Sequence, residues 1–287
     1  MTCQGCPEAE VWPLVLPRLP LLSLAALACV CRSFQRKVTD LRRRDVACGR
    51  EPFLVLAPTT EDAAALDSVL KYSAECVQSV NEATCDESAD RSGCACGDLC
   101  GPGCTCVASL LECGRLCSCR AACSNRATRQ RLCFPLHLRR DAARGWCIRA
   151  GACIPRNAFV CIYAGELVDI DVARRRLAQQ DASKESANYI FCAREHFGSR
   201  TLATVIDPTS VGNAGRFLNH ACDGGNLAVR IARALGDDSP RVGFFAARNI
   251  ALDEELCYSY GQPTSAGRRK CHCGTAACKG TLPSDEM

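Results

Sequence analysis

Nine cysteines fall between Cys94 and Cys123 of a 287-residue chain. Cys94, Cys96 and Cys100 read CxCx3C, Cys104 and Cys106 read CxC, and Cys113, Cys117, Cys119 and Cys123 read Cx3CxCx3C. So dense a run leaves too little side-chain volume for a hydrophobic core of its own, so disulfides or metal must hold it. Tetrahedral zinc takes four thiolates at about 2.3 Å. Three zincs need twelve ligand positions, which nine cysteines fill if three of them bridge. Nine is odd and cannot pair completely as disulfides, and a CxC pair is strained as a local disulfide. The spacing favours a three-zinc cluster over a disulfide-rich secreted module.

The chain is long enough for one large domain or two modest ones. Aromatic residues are sparse at 6%, and the net charge is +4. That balance suits a basic peptide or chromatin partner and falls short of a dedicated nucleic-acid binder. The apolar stretch from Leu19 to Cys31 is not a signal peptide, because Glu8 and Glu10 make its start acidic and no Lys or Arg precedes Arg18. It is also too short to span a bilayer. An intracellular chain with reduced thiols and no membrane partner is expected.

Residues 21–43 carry a helical apolar stripe through Leu24, Leu27, Val30, Cys31, Phe34, Val38 and Leu41, with Ser23 placed to cap it. This string resembles the second half of an F-box, which would bind a ubiquitin-ligase adaptor; it reads equally as an amphipathic helix docking on the same protein. "FLVLAP" (53–58) predicts a short strand, residues 61–80 a weak helix through Leu66, Val69, Leu70 and Val77, and residues 81–93 a polar loop. Residues 159–168 predict a strand broken by glycine, 171–180 a helix with Asp169 and Asp171 at its start, and 241–250 and 254–261 further strands. The fold class is mostly β with short helices.

Three later strings carry chemistry: "RGWCIRA" (144–150), "GNAGRFLNHAC" (212–222), and "EELCYSYG" (254–261) followed by "CHCGTAAC" (271–278). With the cysteine run ahead of them, and "DVACG" at 45–49, they resemble the SET-domain histone-lysine methyltransferases of the pre-SET, SET, post-SET type. The resemblance covers about residues 45–287. It implies a SET fold of small curled sheets with a knot-like C-terminal segment. The domains would be an F-box-like helical segment (1–46), a connecting segment (47–93), a triple-zinc pre-SET (94–131), the SET domain (132–261) and a post-SET zinc segment (267–287).

The CxCx4C of Cys271, Cys273 and Cys278 is one thiolate short of a tetrahedral site, and the resemblance supplies Cys222 as the fourth. It also implies S-adenosylmethionine as cofactor, with Arg144, Gly145, Trp146, Tyr189, Arg216, Asn219, His220 and His272 as contacts. A lysine amine, with a pKa near about 10.4, must lose its proton before it attacks, and a dry channel favours the neutral form. Tyr258 and Tyr260 share a strand face at period two. By resemblance Tyr260 is catalytic, Tyr258 sets the methylation number toward mono- and dimethylation, and Tyr163 and Tyr189 wall the channel or cofactor site. Taken alone, any one tyrosine, or Trp146, reads as a core aromatic.

The chain departs from the family pattern at Cys147 after Gly145-Trp146, at Ala221 within Asn219-His220-Ala221-Cys222, at Ser259 between the tyrosines, and in a longer "DGGN" loop. Cys147 is expected to crowd the backbone beside the cofactor. The remaining cysteines, among them Cys29, Cys133, Cys161 and Cys257, read as small buried hydrophobes rather than nucleophiles. Arg174 to Arg176 read as a solvated face or a contact to nucleosomal DNA. The implied partner is the histone H3 tail in the nucleosome, with nuclear, chromosomal residence and DNA contact only through the nucleosome. The target lysine stays open among 9, 36 and 4. A ubiquitin-ligase adaptor and a non-catalytic module that reads lysine peptides are the rival functions.

Overall fold

A computed structural model describes residues 53–55, 71–78, 93–130, 132–182, 188–237, 239–261 and 269–283. The F-box-like stretch 21–43 and "DVACG" lie outside these residues. So do residues 61–70 of the weak helix and nearly all of the 81–93 loop.

The first strands are β1 (Phe53–Val55), β2 (Lys71–Tyr72) and β3 (Val77–Gln78), followed by a helical turn α1 (Thr105–Ala108). Next come β4 (Leu136–Asp141), β5 (Gly145–Ala150), β6 (Phe159–Ile162), β7 (Glu166–Val168) and the helix α2 (Ile170–Ala182). Then follow β8 (Phe191–Phe197), β9 (Arg200–Asp207), β10 (Val211–Gly212), β11 (Asn219–His220), β12 (Leu227–Ala232), β13 (Arg241–Ala246) and β14 (Cys257–Tyr258). They form small sheets in the orders β1-β4-β5, β12-β13-β6 and β3-β7-β9-β8, plus the pairs β2–β10 and β11–β14. This is the mostly β architecture that the short apolar runs predict.

Local chemistry explains the turns. Asp141 Oδ1 accepts from the backbone N–H groups of Ala143 and Arg144, closing the β4–β5 hairpin. Gly165 breaks the 159–168 run because a Cβ there would stand 2.7 Å from the Asp207 carbonyl carbon. The fully buried run of β6 packs behind Tyr163, and Leu136, Leu138, Ile148, Ile154, Phe244, Ile250 and Leu256 fill the centre. Truncating one of these, such as Ile148→Ala, costs about 2–5 kcal/mol.

Two expectations fail in detail. Residues 71–78 form two short strands instead of the end of a helix, because β2 pairs in parallel with β10 and β3 with β7. Of residues 254–261 only Cys257–Tyr258 is a strand. The rest of that segment is wedged in: Ala150 N–H donates to Glu254, Leu256 N–H to Ile148, Ala221 N–H to Tyr258 and Asn226 N–H to Cys257.

The arginine run is not one solvated face. Arg174 pairs with exposed Asp171, but Arg176 turns inward between Glu166 and buried Asp207, 2.6 Å from each. It fastens α2 to the four-stranded sheet. Among the described residues no helix is long and apolar enough to cross a membrane.

Candidate active site and metal centres

The nine cysteines of residues 94–123 converge. Four-thiol groups form from Cys94, Cys106, Cys113 and Cys117, from Cys94, Cys100, Cys104 and Cys113, and from Cys100, Cys113, Cys119 and Cys123, with all sulfurs of a group within 4.8 Å of one another. Cys94, Cys100 and Cys113 recur, and their sulfurs form a triangle with sides of 3.6, 3.9 and 3.5 Å. A tetrahedron with Zn–S bonds of about 2.3 Å has S···S edges of about 3.8 Å, whereas a disulfide needs about 2.05 Å. The thiols therefore fit zinc, and the three shared cysteines are the three bridging positions that the count of nine demands. Cys96 stands outside these groups but beside Cys94, Cys100 and Cys104, which completes the second site.

Nine thiolates and three dications sum to about −3. Two side chains answer that charge: Asn125 Nδ2 donates to Cys113 Sγ at 3.2 Å, and Arg126 Nη2 donates to Cys119 Sγ at 3.3 Å. The next residues bind the cluster to the β sheets. Thr128 bonds Glu112 through its N–H and its hydroxyl, Arg241 donates to the Thr128 carbonyl, and Arg129 pairs with Asp237.

A second centre joins distant segments. Cys222, Cys271, Cys273 and Cys278 bring their sulfurs within 4.8 Å, with Cys222 and Cys271 3.7 Å apart. This group too has the donor set and spacing for one zinc. It is more open than the cluster, with Cys278 exposed and Cys222 and Cys273 half-buried.

The tyrosines gather beside it. Tyr258 is buried in β14, 4.7 Å from Phe244, 6.3 Å from Phe191 and 4.8 Å from Tyr260, centroid to centroid. Tyr163 lies 5.1 Å from Phe191 and donates its hydroxyl hydrogen to the Tyr189 carbonyl. The Tyr260 hydroxyl donates to the Leu218 carbonyl at 2.6 Å. Tyr260 is 37% exposed as a residue, but that hydrogen bond holds its oxygen inward. Burial raises the pKa of both Tyr163 and Tyr260, so each stays a neutral donor. Neither is a phenolate base.

Of the expected cofactor residues, Arg144, Trp146, Asn219 and His220 meet along β5 and β11. Asn219 Nδ2 donates to the Trp146 carbonyl at 3.2 Å and to Glu255 Oε1 at 3.0 Å. Arg144 spans Glu255 and the His220 carbonyl at 2.8 and 2.9 Å. The Arg216 guanidinium stacks 4.0 Å over the Tyr189 ring and donates to the Pro208 and Thr209 carbonyls. Gly145, at φ +75°, has nothing within 4 Å of where a Cβ would stand, so its backbone faces open space between Trp146 and the hairpin turn. His272 is exposed between two of the thiols. The His220 ring is engaged at both nitrogens, by Tyr260 N–H and by Cys222 Sγ.

The departures are accommodated. Cys147 does not project into the open space; it is buried beside Glu255 and Arg149. Ser259 is exposed and bonds Gly261, and Ala221 is buried. The longer loop needs its glycine: Gly225 has φ +72°, and a Cβ there would stand 2.3 Å from the Cys257 carbonyl oxygen. Burial pushes the Cys257 thiol up to about 12, which suits a small hydrophobe rather than a nucleophile. Sequence reasoning missed Phe191, Phe244 and Glu255. Phe191 opens β8 two residues after Tyr189, a spacing that could have found it. Phe244 and Glu255 lie in plain apolar and acidic runs and gave none.

A SET-domain family model matches residues 145–261. The chain is similar to histone-lysine N-methyltransferase SUVR3 of Arabidopsis thaliana, 41% identical over 68% of this chain and 60% of that protein. Its fold matches the crystal structure of the methyltransferase domain of human SETMAR, with a TM-score of 0.69 and 31% identity over 84% of this chain and 98% of that one. It also matches KRYPTONITE in complex with DNA, an H3(1–15) peptide and SAH, with a TM-score of 0.64 and 25% identity over 80% of this chain and 51% of that one. The chain spans about 60% of the length of the curated relatives it matches.

Proposed function

The chain belongs to the SET-domain histone-lysine N-methyltransferases, and on that premise we propose that it methylates a lysine of the histone H3 tail from S-adenosylmethionine. The observation that carries this is the aromatic enclosure of Tyr163, Phe191, Phe244, Tyr258 and Tyr260, with buried, neutral hydroxyls at Tyr163 and Tyr260. The H3 peptide held by KRYPTONITE makes the first fifteen residues of that tail the first place to look. Residence in the nucleus, on chromatin, follows from that substrate.

S-adenosylmethionine supplies an electrophilic methyl group on a positively charged sulfur. When bound, it would be held beside Trp146, Asn219, Tyr189 and Arg216, with Arg144 and His220 fixing the strand behind. The aromatic rings exclude water, so an entering lysine ammonium loses hydration and sheds its proton more readily. Tyr260 and Tyr163 now point their hydroxyls at carbonyls of Leu218 and Tyr189. Those hydroxyls and carbonyls orient the neutral amine for in-line attack. Tyr258 narrows the enclosure with its own hydroxyl, which limits the product to mono- and dimethyl-lysine. Zn²⁺ held at the two cysteine centres would brace the fold there.

The test is incubation with isotope-labelled S-adenosylmethionine and recombinant nucleosomes, followed by mass spectrometry of histone H3. Labelled mono- and dimethyl-lysine is expected, and Tyr260→Phe should remove it. A trimethyl product in the majority refutes the role given to Tyr258. Cofactor binding without turnover would favour a lysine-peptide reader instead.

A further inference from the structure

His220 sits on β11, where its register partner on β14 is Tyr258, and its side chain is buried. The imidazole has two nitrogens and two polar neighbours. Tyr260 N–H donates to Nδ1 at 3.1 Å, so Nδ1 carries no proton. The single ring proton is therefore on Nε2, which stands 3.2 Å from Cys222 Sγ and donates to it. A doubly protonated ring would set a donor against the Tyr260 N–H, so the geometry requires the neutral tautomer.

The segment that contains β11 holds Tyr260 at both ends. The Leu218 carbonyl takes its hydroxyl, His220 Nδ1 takes its backbone N–H, and Cys222 lies two residues further on among the C-terminal thiols. The His220 and Tyr260 rings are 5.2 Å apart. Groups that hydrogen-bond a metal ligand commonly fix its orientation and affinity. Here the group that touches the ligand also touches the backbone of the tyrosine.

We infer that His220 is a positioning residue that couples the C-terminal zinc site to Tyr260, one hydrogen bond reaching the zinc ligand Cys222 and the other the tyrosine backbone. Zinc fixes Cys222, Cys222 fixes the imidazole, and the imidazole fixes the main chain at Tyr260. Only the kinetic consequence rests on the methyl-transfer reading; the two hydrogen bonds do not.

Two substitutions separate the two bonds. His220→Asn can keep an acceptor near the Nδ1 position but cannot reach Cys222. His220→Gln can keep an N–H toward Cys222 but leaves the Tyr260 N–H without its partner. On the full chain, His220→Asn is expected to release one zinc of four to a colorimetric chelator about 10- to 100-fold faster. His220→Gln is expected to retain four zincs, shift the 19F resonance of 3-fluorotyrosine placed at Tyr260, and lower kcat at least tenfold with KM for the peptide unchanged. A merely structural histidine would lower the melting temperature in both variants without this split. Wild-type release kinetics in His220→Asn, or a wild-type resonance in His220→Gln, overturns the inference. If neither variant folds, the unsubstituted chain loaded with 113Cd decides. A scalar coupling between His220 Nε2–H and the cadmium at Cys222 is expected, and its absence overturns the link. Should the protein prove to lack methyl transfer, zinc release, the resonance and the coupling still decide the matter.

Discussion

The two cysteine centres use one ligand chemistry for two different tasks. The first collects nine cysteines from one 30-residue stretch, and seven of them are buried. Its outward bonds, through Asn125, Arg126 and Thr128, lead to the cluster itself and to the sheet flank. The second collects one thiol from beside β11 and three from a segment about 50 residues later, with Cys278 exposed. Its outward bonds lead through His220 to Tyr260. Burial and local assembly suit a scaffold; partial exposure and long-range assembly suit a latch on Tyr260.

The largest expected effect breaks the first centre. Cys113 bridges two of the three sites, so Cys113→Ser should open both at once and release the linked cluster. Structural zinc contributes roughly 10–16 kcal/mol in small domains, so the cooperative melting transition should vanish with the metal. Calorimetry and elemental analysis measure both, and a retained transition would deny the cluster its role as scaffold. Breaking the second centre should be milder for the fold and severe for the site. Cys273→Ser should keep three zincs and the melting transition while methyl transfer falls about 100-fold, a barrier change of about 2.7 kcal/mol. Equal loss of stability in both variants would erase the distinction.

Arg126→Gln probes the charge balance of the cluster. Removing the cation from Cys119 should cost about 1.5–3 kcal/mol, the worth of a hydrogen bond to a charged group. Faster zinc release should follow from the N-terminal centre alone. The smallest effect is expected in alkali. Tyr163 and Tyr260 have folded pKa values above the unfolded value near 10. Below about pH 10 both states are neutral at these residues and their contribution is constant. Above it the unfolded chain ionises first, so stability falls as pH rises. Tyrosine absorbance near 295 nm should titrate later in the folded protein than in denaturant. A kinetic limb below pH 9 traced to Tyr260 would contradict its enclosed hydroxyl.

Much of this was legible in the residues because it depends on near neighbours. The broken run 159–168, the helix after Asp169 and the thiol count of the cluster all follow from local spacing. What was not legible depends on distant pairing. Val77 looked helical because nothing in residues 61–80 shows that β3 will lie along β7. Cys94, Cys100 and Cys113 could not be told from the other six, since bridging is a property of the folded triangle. The ring orientation of His220 was not legible either, since it depends on Tyr260, forty residues later in the chain.

The β11–β14 pair joins residues 38 positions apart in parallel register, and Asn226 bonds Cys257 and Glu255 across the same crossing. During synthesis at about 5–20 residues per second, Tyr258 leaves the ribosome roughly 7–27 s after Cys123. A nascent chain can therefore load the first metal centre well before it possesses a reactive site. The order of emergence leaves a half-made protein without an assembled site, which is completed in a single late step with the C-terminal thiols.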